Sequence, residues 1–227
     1  MMTWFTVYYL NKVYRYNHST GTLDSINLNV RGLRTVQINT TLYAFSEYPL
    51  SAIRFYDMQS QNPTRVELAK YGKNVREQFS IACYKKRTIY ITAGMISEKG
   101  SDKVVSFDIE TNIFTDVSSL NQPRYGHGST CAGNSVYVIG GELPMHARNT
   151  IEKYDIDQGN SWEEIRIGNN PHLPTSKWPA VCTIDVNEIL VSVGDLETTR
   201  SDVFVFDVNS KRFRMICEAP FGFSCWS

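Results

Sequence analysis

Residues 123–165 read PRYGHGSTCAGNSVYVIGGELPMHARNTIEKYDIDQGNSWEEI, and this stretch decides the fold. Its run SVYVIGG (135–141) is short, rich in β-branched and aromatic residues, and bounded by Asn and Gly, which is the pattern of a strand. The runs TIYITAG (88–94), EILVSVG (188–194) and DVFVFDV (202–208) repeat it. Helical periodicity is weak everywhere. The one helical candidate, ELAKYGKNVREQF (67–79), is broken by Gly72 and Asn74, sustains no apolar stripe, and reads as a long loop. The chain is therefore all-β.

The stretch also recurs along the chain. Gly94, Gly141 and Gly194 close equivalent strands 47 and 53 residues apart, and Ser46 takes the earlier equivalent place. About a dozen residues after each marker comes an aromatic followed by an acid: Tyr56-Asp57, Phe107-Asp108, Tyr154-Asp155 and Phe206-Asp207, with Tyr16-Asn17 ahead of them. A second bulky position follows as Leu23, Phe114, Trp162 and Phe213, and only the second module, with Thr64, departs from it. The spacing predicts five modules, approximately 1–29, 30–70, 77–120, 123–168 and 177–218, in a single domain over 1–227.

These residues resemble the kelch repeat, whose module carries a double glycine after a hydrophobic strand, then Tyr or Phe, then Trp or a substitute. The fourth module is nearly complete, the third has Ala93-Gly94, the fifth a single Gly194, and the first two lack the glycine. The resemblance covers the whole chain, most closely from Phe79 to Ile216, and implies a β-propeller of four-stranded antiparallel blades. The physics agrees. A twisted sheet apolar on both faces is buried by stacking against neighbours, with only short edges exposed. The first module shows three strand-like runs, and GFSCWS near the C-terminus, in 219–227, resembles a lone first strand that would complete it. That pairing would close a five-bladed ring; the competing expectation is a fragment of a six- or seven-bladed one.

Cys83, Cys131, Cys182 and Cys225 each fall in the first strand of a module, which reads as one recurring buried thiol position. No Cys-x-x-Cys spacing occurs, so neither a zinc site nor a disulfide framework is expected, and Cys217 has no special reading. The apolar run WFTVYYL (4–10) is too short for a membrane span and lacks the basic start of a signal peptide. A cytoplasmic location is the resulting expectation, and the sequons at Asn17 and Asn39 are read as chance matches. Lys plus Arg and Asp plus Glu number 23 each, so no net field favours nucleic acid or an anionic membrane.

The sequence carries no nucleophile elbow, no phosphate-cradling glycine loop and no paired-histidine motif; His18, His127, His146 and His172 are scattered singly. The acids of DIDQGNSWEE (155–164) lack calcium-loop spacing, so Asp155 and Gly159 are expected to shape a turn. Lys85-Lys86-Arg87 falls where the first and second strands must turn, and Gly126 and Gly128 are expected to permit close packing beside a structural His127. No catalytic residue, metal or cofactor is expected.

If strands alternate in direction outward from the axis, the loops between second and third strands share a face with the loops between blades. Arg124, Tyr125, Arg148, Trp178 and Arg200 are the expected partner-binding residues of that face, being of the types enriched in binding hot spots. The resemblance implies a non-catalytic adaptor or scaffold that binds a protein or peptide there. The alternative it leaves open is a degenerate propeller enzyme acting on a sugar or sugar acid, like the mutarotases, which needs only Arg and Glu near the axis. The copper-radical oxidases among propellers need His and Tyr ligands and a crosslinked Cys that these scattered residues do not supply.

Overall fold

A computed structural model of the chain describes residues 4–9, 12–17, 20–27, 33–39, 41–47, 49–56, 64–72, 77–142, 150–167, 178–195 and 200–219. These residues form strands and turns and contain no helix. A first sheet holds β1 (Trp4–Tyr9), β2 (Lys12–Asn17) and β3 (Thr22–Asn27). A second holds β4 (Leu33–Ile38), β5 (Thr41–Glu47), β6 (Leu50–Tyr56) and β7 (Thr64–Lys70). The third is built from β8 (Ser80–Tyr84), β9 (Thr88–Thr92), β12 (Val104–Asp108) and β13 (Ile113–Val117), with a small hairpin of β10 (Met95–Ile96) and β11 (Lys99–Gly100) inserted after β9. The fourth is β14 (Gly128–Ala132), β15 (Ser135–Ile139), β16 (Thr150–Asp155) and β17 (Trp162–Arg166). The fifth is β18 (Ala180–Asp185), β19 (Glu188–Asp195), β20 (Arg200–Asp207) and β21 (Arg212–Ala219). Each sheet runs in chain order and every pairing is antiparallel.

The strands fall into two compact units, β1–β7 in one and β8–β21 in the other. In the first unit, among the described residues, the second sheet carries buried side chains, Phe45, Ile53 and Phe55 among them, and the Ser46 hydroxyl stands 2.7 Å from that of Ser51. In the second unit three sheets stack face to face. Val136, Val138, Tyr154 and Trp162 on one face of the fourth sheet pack with Ala82, Tyr90 and Val104 of the third. Tyr137, Ile139, Ile151 and Ile165 on the other face pack with Ile189, Val191 and Phe206 of the fifth. This two-sided burial explains why SVYVI is apolar without alternation: all five residues of β15 are buried. Each strand side needs its own apolar set, because successive side chains point to opposite faces.

The two bulky markers of each module are cross-strand partners. Tyr16 lies opposite Leu23, Phe107 opposite Phe114, Tyr154 opposite Trp162 and Phe206 opposite Phe213, and Thr64 occupies the same place opposite Tyr56. Where both are aromatic in the second unit, the rings touch, at centroid separations of 4.8 to 5.2 Å. The acid after each aromatic closes the next turn: Asp108, Asp155 and Asp207 each accept two backbone N–H groups from residues two and three positions on. Asp155 is thus spent on its turn, and Asp157 takes an amide N–H from Asn134 at 2.7 Å.

The inner edge strands β8, β14 and β18 stand side by side, tied by hydroxyls. Ser129 donates from both its amide and its hydroxyl to the Ser80 oxygen at 2.9 Å, and the hydroxyls of Thr130 and Thr183 lie 2.9 Å apart. A Cβ on Gly128 would fall 2.3 Å from Val181 Cγ2, so only glycine lets β14 approach β18 this closely.

Two expectations are corrected. Residues 67–70 are strand, because β7 continues to Lys70 and pairs with β6 through a register shift; residues 73–76 of that stretch lie outside the described residues. The recurring cysteine is not one position in every module. Cys83 pairs with Ile89 and Cys131 with Val136, but in the fifth sheet Thr183 pairs with the equivalent Ile189, and Cys182 lies one residue earlier. One residue turns a side chain to the opposite face. Cys182 is accordingly exposed, as is Cys217, while Cys83 and Cys131 are half-buried. The extra strand expected over 219–227 begins at Ala219, which instead ends β21, and its remaining residues, Cys225 included, lie outside the described residues.

Candidate functional site: the loop end of the second unit

Antiparallel order sorts the connections of the second unit onto two ends. One end carries the turns at Lys85–Arg87, Gly133–Asn134 and Val186–Asn187 together with the three aspartate turns. The other carries the β10–β11 hairpin, Glu142 and the entries to β8, β14 and β18. The entries share one backbone conformation two residues ahead of each inner strand. Gln78, Gly126 and Trp178 all have positive φ, at 54°, 61° and 70°. They also form a hydrogen-bonded series from sheet to sheet: Gly126 N–H donates to Gln78 O at 3.1 Å, and Trp178 N–H donates to Gly126 O at 2.8 Å. A left-handed backbone that recurs under Gln, Gly and Trp is imposed by the packing, since a bulky side chain there is disfavoured.

Around these entries the side chains are held closely. The Trp178 ring covers Gly126: three adjacent ring atoms, Cε3, Cζ3 and Cδ2, would lie 3.0 to 3.1 Å from a Cβ there, so the ring is seated face-on. Tyr125 pairs its backbone with Glu142, and its hydroxyl donates to the Glu142 carboxylate. That bond to a carboxylate holds the Tyr125 phenol above its ordinary pKa. Glu77 occupies the place equivalent to Tyr125 and pairs its backbone with Met95. His127 is buried, its Nε2 lying 2.8 Å from the Thr92 hydroxyl of the third sheet, and a Cβ on Gly141 would strike it.

The five residues expected to form one binding surface are not placed alike. Tyr125 and Trp178 are both at the loop end: Tyr125 precedes Gly126 in the chain, and the Trp178 backbone and ring lie against Gly126. Arg124 does not join them: it is 0 % exposed, so it belongs to the core rather than to a docking surface. Its guanidinium donates to Gly140 O at 3.0 Å, Thr150 Oγ1 at 3.1 Å and Glu152 Oε1 at 2.6 Å. Glu152, also 0 % exposed, accepts in addition from Asn121 N–H at 2.6 Å. The pair pins the linker between third and fourth sheets onto β16. Burial pulls the Arg124 pKa down and Glu152 works the other way. Arg148 lies outside the described residues, and Arg200 is the first residue of β20. Gln78 and Glu77 were missed by the sequence reading; the signal was the spacing of Gln78 with Gly126 and Trp178, two residues ahead of an inner strand, and of Glu77 with Tyr125, three residues ahead.

The opposite end is a set of solvated contacts. Arg87 pairs with Asp108 at 2.8 Å and Glu110 at 3.0 Å, and the Lys85 ammonium sits 4.7 Å from the Tyr84 ring centroid. The hydrogen bonds from the Thr111 amide and the Arg87 side chain bring the Asp108 pKa down to about 2. Among the described residues no three His, Cys, Asp or Glu side chains gather as a metal site, and no helix is long and apolar enough to cross a membrane.

Residues 32–220 match the family model for the KLHDC2/KLHL20/DRC7 Kelch-repeats domain. The chain belongs to the kelch-repeat family. The stacked four-stranded antiparallel sheets are kelch blades, and the paired aromatics and aspartate turns are the module's markers. The kelch chain is similar to Kelch-like protein 23 of Homo sapiens, 29% identical over 137 residues, which is 57% of this chain and 23% of that protein. It is also similar to a RING finger domain and kelch repeat-containing protein of Dictyostelium discoideum, 27% identical over 111 residues, 48% of this chain and 11% of that protein. An F-box/kelch-repeat protein of Arabidopsis thaliana is 32% identical over 82 residues, 35% of this chain and 23% of its own length. The chain thus matches between a tenth and a quarter of the length of these relatives.

Proposed function

We propose that this kelch chain is a non-catalytic interaction module, an adaptor or scaffold that presents the loop end of its blades to a protein or peptide partner. Family membership supports the reading, since its relatives carry kelch repeats beside RING finger and F-box segments. The observation that carries it is the pair Tyr125 and Trp178, two partly exposed aromatics at one end of the unit, with Tyr125 backbone-bonded to Glu142 and Trp178 to Gly126. Rigid, well-packed aromatic side chains lose little entropy on binding and dominate interface energetics. Arg148 and Arg200 belong to the proposed surface; Arg124 does not. A cytoplasmic setting is part of the proposal.

The test is affinity capture with the chain as bait, followed by quantitative binding of whatever partner is recovered. Substituting Tyr125 and Trp178 should cost about 2 kcal/mol each, roughly thirtyfold in Kd, with the melting curve retained. Triple substitution of Lys85, Lys86 and Arg87 at the opposite end should leave binding intact, because exposed charges contribute about 1 kcal/mol or less. A partner that is lost with the Lys85–Arg87 turn and tolerates both aromatic changes overturns the choice of face.

A further inference from the structure

The outer edge of the fifth sheet differs from those of its neighbours. β13 and β17, the last strands of the third and fourth sheets, have five residues each, whereas β21 has eight. Its side chains from Arg214 to Glu218 are all exposed, Met215 at 49% and Ile216 at 46%. Ile216 is the extra residue of a bulge: Val203 pairs with Cys217 and Phe204 with Met215, so Ile216 has no opposite number on β20. A bulge bends a strand and disrupts its ladder, so the outward side of β21 offers side chains rather than a continuous row of amide groups.

Charge is sorted along this edge. Glu218 lies directly opposite Asp202, and both residues are exposed. Like charges so placed repel, and among the described residues no cation pairs with either carboxylate. At the other end Lys211 is held by Glu163 at 3.0 Å and Arg214 by Glu188 at 3.1 Å. Arg212 between them is exposed and makes no ion pair among the described residues. An uncompensated acidic pair at one end, a spare cation at the other and two exposed apolar residues between them are complementary to the same strand reversed. A twofold axis produces that arrangement, because one surface then meets its own copy.

We propose that this edge is a self-association surface, on which β21 of a second copy lies antiparallel. Arg212 of each copy meets Asp202 and Glu218 of the other, and Met215 and Ile216 fill the middle. β21 is the strand of its sheet farthest from β18 and the Trp178 entry, so the contact leaves that entry uncovered. The dimer then presents two loop ends at once, and engagement at two points raises avidity. The inference uses none of the loop-end residues, so either reading can fail without the other.

Sedimentation equilibrium of the full chain, over a range of concentration and salt, tests it. The parent should dimerise reversibly, and more weakly at high salt, because exposed charges are screened. Arg212→Glu makes both ends of the edge acidic, and Asp202→Lys with Glu218→Lys makes both ends basic. Each variant alone should lose about tenfold in dimer affinity. Mixed in equal amounts they should associate again, since an all-acidic edge then meets an all-basic one, and a misfolded variant would restore nothing. A parent that stays monomeric overturns the proposal and leaves the edge to a different protein. A dimer indifferent to these substitutions overturns it as well and puts the contact elsewhere. Variants that melt like the parent, dissociate and fail to associate on mixing overturn the pairing of Arg212 with the acidic end.

Discussion

Arg124 and Glu152 carry a larger energetic consequence than any other described charged pair, because both are wholly buried and joined at 2.6 Å. Such a pair adds little over a well-packed apolar isostere, but breaking it strands a charge in the core. Glu152→Ala should therefore cost about 3–5 kcal/mol in urea unfolding, and joint replacement of Arg124 by Met and Glu152 by Leu should recover most of that loss. A single-variant cost below about 1 kcal/mol would place the pair in contact with water, contrary to the geometry. The thiols sort by burial in the same way. Burial pushes the Cys131 pKa up to about 12, whereas Cys182 and Cys217 are exposed. At pH 8, iodoacetamide should label Cys182 and Cys217 long before Cys131, since only the thiolate reacts. Early modification of Cys131 in the folded protein would contradict its place beside Tyr90 and Cys83.

Trp162 belongs to the contact between elements. It sits opposite Tyr154 on β17, packs in the core shared by third and fourth sheets, and donates its indole N–H to Ser118 O of the third-sheet connection at 2.7 Å. Trp162→Ala should cost about 3–5 kcal/mol, a large share of a typical domain stability of roughly 5–15 kcal/mol. A melting temperature within a couple of degrees of the parent would refute this packing. The aspartate turns set the response to acid. The pKa of Asp108 is depressed to about 2 and that of Asp207 is depressed as well, in both cases chiefly by backbone N–H donors. A carboxylate with a lowered folded-state pKa contributes stability that is present above its unfolded value, near 4, and is lost as pH falls toward the folded value. Unfolding free energy should accordingly decline between about pH 4 and pH 2, and Asp108→Asn should flatten the Asp108 share of that decline. An unchanged slope in the variant would show that the turn does not hold the ionised form.

At the scale of the chain, the second unit holds two complete inter-sheet cores, and a fragment of residues 76–219 should unfold cooperatively in denaturant; a broad, featureless transition would show that these cores do not suffice. The all-β class and the blade-like module with its regularly spaced bulky markers were legible in the one-dimensional pattern, because strand periodicity and turn chemistry are local; that Tyr154 and Trp162 are cross-strand partners came from the register. The site was legible only in part. Tyr125 and Trp178 could be named by residue type, but Arg124, of a type just as suited to binding, turned out to be core. Nothing local distinguishes a guanidinium pointing to solvent from one pointing at Glu152, 28 positions on. The cysteine series failed for a related reason: an offset of one residue is invisible in spacing that varies from module to module, and it reverses the face on which Cys182 lies. What the sequence by itself determined is therefore the repeating element and its apolar content, which follow from periodicity. Which side chain of that element meets a neighbouring sheet and which meets water was decided by the stacking of the sheets, because burial is a property of residues far apart in the chain.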